Sequence, residues 1–444
     1  MSLVPRPRLL WIVLDVALVG VLGAVFAPAH AAWLVALAGI GAVALADAAL
    51  ALARNDRVQV ALPRVARFSR DRESSLEVTL GVKAGAARRV RLGLVLPGAF
   101  AAREDEATVD LPGGAERYRL EWKCTPRQRG RFEGVVACTE TPSSLGLWSV
   151  RRRAFVPCQL RVHPNLLADR KESAAVFITG RRDGARQQRT LGRGREFDNL
   201  REYLPGDGLD EIHWKATAKR NRAITKTFQV ERTQEIYVVV DASRLSARPV
   251  TQGGIEQPAL ERYITSALLL LAAAQHQGDR FGLATFDHRV RTFVRSLGGA
   301  RHFASCRDAL LDLKASESTP DIAEIIRYLR VQIRRRALIF FLADMTDPVL
   351  ADSFTRNIRV LSRQHLVVLC QTRPAEVAPL YSGPELRDAG QVYHRLAGHA
   401  RWAETRSLAQ RLRPHGVGSI LIDDATMATQ IIRRYLEIKR RQAL

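Results

Sequence analysis

The chain of 444 residues has little cysteine, and its five cysteines are scattered at positions 124, 138, 158, 306 and 370. They form no Cys-x-x-Cys pair and no zinc-type spacing, so we expect neither a disulfide framework nor a thiolate metal site. Acidic residues are also few, with 45 Asp and Glu against 68 Lys and Arg. The net charge of +23 indicates an anionic partner, phospholipid or nucleic acid, and charge alone does not choose between them.

Two long apolar runs lie near the N-terminus, at residues 9–27 and 31–53. Each is long enough to cross a bilayer core of about 30 Å as a helix. The three residues between them allow only a tight turn. Residues 1–57 are therefore predicted to form a transmembrane helical hairpin in a lipid bilayer.

Basic residues flank both runs: Arg6 and Arg8 precede the first, and Arg54 and Arg57 follow the second. The positive-inside rule then places both ends of the hairpin, and the rest of the chain, in the cytoplasm. The alternative for the first run is a cleaved signal peptide, because residues 29–31 have the small-x-small pattern of a cleavage site. The second run would then still anchor the chain with its C-terminal side inside.

Each apolar run contains one acid, Asp15 in the first and Asp47 in the second. Each acid lies about seven residues, roughly 10 Å, from the basic flank of its helix. Carboxylates inside a membrane are functional candidates. So close to the interface, a side chain that reaches water or is protonated is the simpler interpretation, and the sequence leaves the role of both acids open.

Residues 58–165 alternate apolar and polar residues in short stretches, separated by Gly, Pro and Asp-rich breaks. Period-two alternation with such breaks is typical of an antiparallel β-sandwich, which we predict here. The segment has no catalytic arrangement. Cys124 and Cys138 lie on neighbouring predicted strands, and we expect buried reduced thiols in a cytosolic domain.

Residues 166–233 begin with a polar linker, up to residue 190, and continue with the most unusual segment of the chain, GREFDNLREYLPGDGLDEIHWKATAK at 194–219. Its interleaved charges and aromatic rings are typical of a nucleic-acid surface, an active site or a structural clasp. It has no Ser or Cys nucleophile at a recognisable spacing from a base. The candidate partner-binding residues in this segment are Arg195, Glu196, Arg201, Tyr203, Asp207, His213, Trp214 and Lys215.

Residues 234–444 alternate continuous apolar strands, such as IYVVVDAS and ALIFFLAD, with amphipathic helices. This alternation predicts an α/β doubly wound sheet. Ligands of such sheets bind beyond the carboxyl ends of the strands. Two of the predicted strands end in acids, Asp241 and Asp344, so we expect a site there.

The strand that ends in Asp-x-Ser, the later Thr319-Pro320 and the strand that ends in Asp resemble a von Willebrand factor A domain. In that family these loops form a metal-ion-dependent adhesion site. The resemblance therefore implies Mg²⁺ or Mn²⁺ on hydroxyl and carboxylate oxygens, with one position left for a partner's carboxylate. The implied ligands are Asp241, Ser243, Thr319 and Asp344. The chain departs from the family at Leu245, where a second serine is expected.

The segment at 194–219 closely resembles the signature of the bacterial "domain of unknown function 58" family, and RGRFEGVVACTETPSSLGLWSV at 129–150 resembles its sandwich segment. The resemblance covers nearly the whole chain. The chain departs from the signature at Asp210, where a basic residue is common, and at His213, where Asp is common. The resemblance implies a membrane hairpin, a β-rich region and a von Willebrand A-like domain, associated with MoxR-type AAA+ ATPases.

Together these features predict an adaptor without enzymatic activity at the inner membrane of a bacterium, with its soluble domains in the cytoplasm. It would recruit a MoxR-type AAA+ ATPase, or be remodelled by one. Two rival classes stay open, a binder of an anionic surface or nucleic acid and an unrecognised hydrolase. The basic residues are spread along the chain rather than focused, which favours a membrane-facing protein over a nucleic-acid binder.

Overall fold

The computed structural model describes residues 2–23, 27–54, 58–82, 89–102, 106–111, 117–166, 191–204, 208, 212–229, 234–252, 255–373, 377–382, 388–423 and 426–441. The chain divides into two compact units, Met1–Asn165 and Leu166–Leu444. Most of the predicted linker, residues 167–190, lies outside the described residues. The three boundaries between the four segments proposed from the sequence stay predictions.

The first unit begins with strand β1 (Ser2–Pro5) and helices α1 (Pro7–Gly23) and α2 (Ala27–Arg54). Both apolar runs are thus helical where the structure describes them. In the described part of the chain, one helical segment, Trp33–Ala53, is long and apolar enough to cross a membrane. The two helices approach closely at Gly20, where an added Cβ would lie 2.6 Å from the Trp33 ring.

Helix α2 is attached to the turn that precedes the last strand of this unit. The Asp47 side chain is buried, and its Oδ1 accepts a hydrogen bond of 3.1 Å from the backbone N–H of Leu145. The Trp148 indole N–H donates to the carbonyl oxygen of Ala44 at 2.9 Å. Asp15, by contrast, is exposed on α1. The two acids that the sequence treated alike therefore differ, and Asp47 forms part of a junction within the unit.

The rest of the first unit consists of strands. They are β2 (Val58–Ala61), β3 (Val65–Ser69), β4 (Ser74–Val82), β5 (Arg89–Val95), β6 (Phe100–Ala102), β7 (Glu106–Asp110), β8 (Arg117–Pro126), β9 (Gly130–Pro142) and β10 (Trp148–His163). One sheet has the order β1-β10-β9-β5-β7, with β3 also paired to β10, and a second has the order β2-β4-β8-β6. All pairs are antiparallel except β3 with β10.

Apolar side chains alternate with polar ones along these strands, as the sequence predicts. The apolar side chains of both sheets pack together in one hydrophobic cluster. Leu76 and Leu80 of β4 and Leu92 of β5 are among its buried members. Strand β10 runs through Pro157, and its register with β9 shifts between Val156 and Gln159. Pro157 cannot donate a ladder hydrogen bond, which explains an irregularity at this point.

The second unit starts with a two-stranded antiparallel ribbon, β11 (Leu191–Glu202) and β12 (Ile224–Gln229), with the short helix α3 (Trp214–Arg220) between them in sequence. The α/β part follows. Its strands are β13 (Glu235–Asp241), β14 (Pro249–Gln252), β15 (Ile255–Pro258), β16 (Arg280–Phe286), β17 (Val290–Leu297), β18 (Leu338–Leu342), β19 (Leu366–Arg373) and β20 (Val417–Asp423). Its helices are α4 (Ala259–His276), α5 (Ala300–Leu311), α6 (Ile322–Gln332), α7 (Pro348–Ser362), α8 (Ala389–Leu412) and α9 (Met427–Arg440), with 3₁₀ turns at Arg244–Ala247 and Arg413–His415.

The main sheet of this unit has the order β17-β16-β13-β18-β19-β20, and its strands are parallel except for β17. Helices cover both faces: α4 and α9 contribute to one hydrophobic cluster, and α6 and α7 contribute to the other. Strand β13 has β16 on one side and β18 on the other, so the crossover to β16 and the later crossover to β18 lead to opposite sides of β13. The carboxyl ends of β13 and β18 are therefore the topological switch point, where such sheets bind ligands.

The hairpin between β13 and α4 was not predicted from the sequence. Strands β14 and β15 form an antiparallel hairpin between β13 and α4. The hairpin is closed at its base by a hydrogen bond of 2.9 Å from the N–H of Ala259 to the carbonyl oxygen of Arg248. The insertion fixes the backbone of Arg248 beside the switch point.

Candidate functional site at the carboxyl edge of the sheet

Asp241 is the last residue of β13, and its side chain is buried, with 1% of the residue exposed. Its Oδ1 accepts a hydrogen bond of 2.8 Å from the N–H of Ser243. Its Oδ2 is buried and has no hydrogen-bond partner among the residues that the structure describes. Burial raises the pKa of Asp241 to about 6, and the nearby carboxylates of Asp344 and Asp287 act in the same direction. Half of this carboxylate is thus left unsatisfied at the switch point.

Asp344 follows β18 by two residues, and both of its oxygens have donors. Oδ1 accepts from the N–H of Thr346 at 2.9 Å and also from the hydroxyl of Thr346. Oδ2 lies 2.6 Å from Nη1 of Arg248, and the other terminal nitrogen of Arg248 donates to Oγ1 of Thr372 at 2.8 Å. Since Thr372 belongs to β19, Arg248 connects the ends of two neighbouring strands.

Asp287 is a third acid at this edge, directly after β16, and its side chain is fully buried. Oδ2 pairs with Nε of Arg291, and Oδ1 accepts from the N–H of Arg289 at 3.1 Å. Burial alone would raise its pKa, but the hydrogen bonds from Arg289 and Arg291 hold the pKa of Asp287 below its usual range. Two of the three acids at the edge therefore have an arginine each, and Asp241 has none.

The two predicted hydroxyl ligands lie in loops that meet here. Ser243 is fully buried, and its Oγ accepts from the N–H of Leu245 at 3.3 Å. Thr319 is exposed in the loop between α5 and α6. Two backbone hydrogen bonds join that loop to the end of β13: Ser316 N–H to Ala242 O at 2.7 Å, and Arg244 N–H to Ser318 O at 3.0 Å. The structure thus brings the four predicted residues to one edge, with Thr319 at its solvent side.

The arrangement does not fit the cation that the von Willebrand A resemblance implies. A hard cation needs oxygen atoms with free lone pairs, and Asp241 Oδ2 offers one. Asp344 already has donors on both oxygens, and Arg248 supplies the positive charge that a cation would bring. Leu245 packs against a hydrophobic cluster instead of adding a hydroxyl. In the described ranges no group of three or more His, Cys, Asp or Glu could hold a metal, so Mg²⁺ or Mn²⁺ here stays a prediction.

The predicted partner-binding residues of the signature segment lie on the β11–α3–β12 region. The backbones of Arg195 and Glu196 are in β11, but their side chains, and the whole of Asp207, are outside the described part. Tyr203 donates its N–H to Ala223 O at 2.9 Å.

His213 caps α3, because its Nδ1 accepts from the N–H of Ala216 at 3.1 Å. Arg201 donates to the carbonyl oxygen of Glu202 at 3.2 Å, and Lys215 is exposed. Trp214 is 69% exposed. The described contacts of His213 are structural, whereas the large exposed ring of Trp214 is a candidate contact surface.

Sequence reasoning missed two residues of the edge. Asp287 carried the same signal as the other acids, since it directly follows an apolar strand. Nothing in the sequence distinguishes Arg248 from the other Lys and Arg residues, of which the chain has 68 in total. Its position at the edge depends on the β14–β15 hairpin.

Comparisons with known proteins agree with the signature segment. Residues 199–391 match the family model described as "Protein of unknown function DUF58". The chain is similar to uncharacterized proteins of Mycobacterium bovis and Mycobacterium tuberculosis, each 24% identical over 204 residues, or 45% of this chain and 60% of the relative. The chain thus spans 60% of the length of these curated relatives.

Solved structures similar to the chain include the conserved hypothetical protein BatB of Bacteroides thetaiotaomicron, with 13% identity, a TM-score of 0.32 and coverage of 47% of this chain and 99% of that one. An aerotolerance-related membrane protein of Bacteroides fragilis has 13% identity, a TM-score of 0.29 and coverage of 46% and 98%. The SpRpn10 VWA domain has 9% identity, a TM-score of 0.27 and coverage of 45% and 94%. The resemblance predicted from the signature segment is confirmed over residues 199–391, which match this family model.

Proposed function

We propose that the protein is an adaptor, held at the inner face of a bacterial plasma membrane, that binds a protein partner at the carboxyl edge of its α/β sheet. The partner is a MoxR-type AAA+ ATPase, as the family resemblance implies. The observation that carries the proposal is the unsatisfied Oδ2 of Asp241 at the topological switch point. A buried polar atom without a partner is costly, so its retention at a ligand-binding position favours a role in binding.

The surroundings of the edge suit a peptide segment of a partner. A cavity of about 380 Å³ begins at Met345 and Thr346, directly after Asp344, and is lined further by Leu408 and Arg411 of α8. The side chain of Arg248, which pairs with Asp344, is 29% exposed. A hydrogen-bond donor of the partner satisfies Oδ2 of Asp241, an acidic side chain of the partner pairs with Arg248, and neighbouring side chains enter the cavity.

Two arrangements at first suggest hydrolase chemistry, and neither has the required geometry. His288 Nδ1 lies 3.2 Å from Ser318 Oγ and 3.1 Å from Asp287 Oδ1. A triad needs one ring nitrogen for the nucleophile and the other for the acid, and here one nitrogen faces both.

The second arrangement is Cys306, whose Sγ lies 3.5 Å from His302 Nε2. The same Nε2 lies within hydrogen-bonding distance of the carbonyl oxygen of Phe281, so it donates there and cannot accept the thiol proton. Burial raises the pKa of Cys306 to about 12, which keeps it a thiol. These features support a binding function.

Membrane anchoring by a hairpin of α1 and α2, followed by a β-sandwich, is part of the proposal. Its support is the span Trp33–Ala53 together with the apolar side chains that α1 leaves uncovered, such as Trp11 and Leu18. Exposed apolar residues on a helix of this kind are suited to acyl chains. The basic flanks place the second unit in the cytoplasm.

The test is a binding titration of the ATPase from the same cell against the full chain in detergent. Arg248→Ala and Asp241→Asn should each weaken binding about tenfold, equivalent to about 1.4 kcal/mol. Arg327→Ala, which removes an exposed guanidinium on α6, is the matched control and should leave the affinity within twofold. Wild-type protein that fails to bind would reject the ATPase as partner. Binding that every edge variant retains would move the interface elsewhere, with Trp214→Ala as the next variant.

A cation-assisted version of this interface is a second candidate, favoured by the same unsatisfied Oδ2 of Asp241. In that version Asp241 and Asp344 would hold Mg²⁺ or Mn²⁺, and the cation would supply positive charge for a carboxylate of the partner. Binding should then weaken in chelator and with Thr319→Ala. If neither change alters the affinity, the cation has no part in binding, and the adaptor role is unaffected.

A further inference from the structure

We propose that the first unit contains a binding site for an anionic phospholipid. The phosphate of the headgroup pairs with Arg6 and Arg8, and the acyl chains lie along the exposed face of α1. The proposal rests on the membrane anchoring described above, but it concerns a different unit from the partner-binding edge.

The site is a cavity of about 540 Å³ at the start of α1. Four arginines line it: Arg6 and Arg8 from the beginning of the chain, and Arg89 and Arg91 from β5. All of its lining belongs to the first unit. A basic cavity at the cytoplasmic end of a membrane helix is a typical location for the headgroup of an anionic lipid.

The charges around the cavity do not cancel. Three arginines are neutralised by ion pairs, namely Arg89–Asp110 at 2.6 Å, Arg91–Glu106 at 3.0 Å and Arg151–Glu140 at 2.9 Å. These pairs include the Glu140 carboxylate, which lines the cavity and would otherwise repel an anion. Among the described residues, Arg6 and Arg8 have no acidic partner. The excess positive charge is therefore concentrated on two side chains.

The geometry directs these two side chains to one place. Gly146 has a φ of +72°, and a Cβ added to it would lie 3.3 Å from Nη1 of Arg8 and 3.7 Å from Nη1 of Arg6. The two guanidinium groups are thus within about 7 Å of each other, a separation that one phosphate bridges with charge-assisted hydrogen bonds. Like charges so close together repel unless an anion lies between them.

The segment that carries the two arginines is fixed to the β-strands. Strand β1 pairs with β10, and the N–H of Arg6 donates to the carbonyl oxygen of Leu147 at 2.9 Å. Leu9 is buried one turn later against Leu147. Because the backbone is held, the site is preorganised, and little ordering entropy opposes binding.

The apolar part of a lipid also has a surface to follow. Leu10, Leu14 and Leu18 repeat every four residues on α1, next to Trp11, and all four are more than half exposed. Residues at this spacing share one helix face. The face starts directly after Arg8 and continues along the helix. A headgroup on the arginines would therefore place its chains against this stripe, which a free phosphate would leave empty.

The experiment uses the full chain in detergent and a fluorescent phosphatidylglycerol as probe, followed by anisotropy. Unlabelled phosphatidylglycerol should compete, whereas phosphatidylcholine and inorganic phosphate should not. The double variant Arg6→Gln/Arg8→Gln should bind about tenfold more weakly. The charge-matched control Arg64→Gln/Arg67→Gln, on exposed residues of the first unit that do not line the cavity, should stay within twofold.

A second variant protects the test against misfolding. Arg6→Lys/Arg8→Lys keeps the charge but loses the planar fork, so it should bind with intermediate affinity and melt at the wild-type temperature. If the Gln variant and its control lose the same lipid affinity, net charge alone explains the binding, and the proposed site is wrong. Competition by inorganic phosphate would identify a phosphate site that does not need a lipid.

A failure of the lipid site can be distinguished from a failure of the proposed adaptor function. If the Gln variant still binds the ATPase normally and stays in the membrane fraction, a negative lipid result rejects this site alone. If the wild-type chain leaves the membrane fraction, the anchoring itself is wrong.

Discussion

Two buried aspartates lie at opposite edges of the same sheet, and their surroundings differ. Asp279 precedes β16 at the amino edge. Its Oδ1 accepts from the N–H of Gln234 at 3.0 Å, and its Oδ2 accepts from Nζ of Lys439 at 2.7 Å and from the hydroxyl of Tyr435. Asp241, at the carboxyl edge, accepts one hydrogen bond on Oδ1 and none on Oδ2.

The difference separates structure from function within one sheet. A fully paired buried carboxylate is costly to disturb and has nothing to offer a ligand. A carboxylate with a buried free oxygen destabilises the isolated protein and gains from any donor that arrives. The amino edge thus has a fully paired carboxylate, whereas the carboxyl edge keeps a buried free acceptor, which is the basis of the binding role proposed above.

The largest effect should come from breaking the amino edge. Asp279→Ala leaves the ammonium of Lys439 and the hydroxyl of Tyr435 without their acceptor, so the free energy of unfolding should fall by about 4 kcal/mol. Thermal melting of the full chain in detergent measures this. Glu437→Ala, which breaks an exposed pair with Arg434 on the same helix, should cost no more than about 0.5 kcal/mol. Similar losses in both variants would contradict a special role for Asp279.

At the carboxyl edge, replacing the buried aspartate should raise the free energy of unfolding instead of lowering it. The folded-state pKa of Asp241 is about 6, above its ordinary value of 3.8, so folded protein binds the extra proton and stability falls as pH rises between these values. Asp241→Asn removes this penalty and should stabilise the protein by about 3 kcal/mol above pH 6. The gain should disappear below about pH 4. Melting curves across this range, recorded in chelator, test the sign, and a loss of stability at pH 8 would contradict it.

The pair between Arg248 and Asp344 should show a coupling of about 1.5 kcal/mol in a double-mutant cycle with Arg248→Gln and Asp344→Asn. The reason is its partial burial, with 29% and 8% of the two side chains exposed. The exposed pair of Arg411 with Asp352 gives the comparison, and its coupling should stay below about 0.5 kcal/mol. Equal couplings would mean that Arg248 does not hold the edge together.

The smallest effect concerns the metal. Mg²⁺ or Mn²⁺ should leave the melting temperature of the wild type unchanged, because Arg248 occupies Asp344. Arg248→Ala frees that carboxylate, and a cation at several times its dissociation constant should then add about 1 kcal/mol. A rise of the same size in the wild type, lost in Asp241→Asn, would show instead that the cation displaces the arginine.

Much of the α/β unit could be predicted from the sequence, because continuous apolar strands that alternate with amphipathic helices leave few other arrangements. The position of Asp241 and Asp344 followed from their places at strand ends. Arg248 could not be predicted, since its role depends on a hairpin whose strands, Pro249–Gln252 and Ile255–Pro258, have no apolar run. The charge balance of the site therefore depends on tertiary contacts that the sequence pattern does not reveal.

The same limit applies to the first unit. Its alternating strands were visible in the sequence, but β1, β3 and β6 are too short to show a period. The difference between Asp15 and Asp47 was also hidden, because both acids have similar neighbours in sequence. Only the approach of the turn at Leu145 gives Asp47 its partner.

The junction around Asp47 sets how helix α2 can move. Ala44, Asp47, Ala48 and Ala51 are buried and repeat on one face of the helix, and the first two hold the turn at residues 145–148 through hydrogen bonds. A helix held by these contacts cannot rotate about its own axis unless the β-strands move with it. In the membrane anchor proposed above, α2 would therefore rotate together with the β-strands.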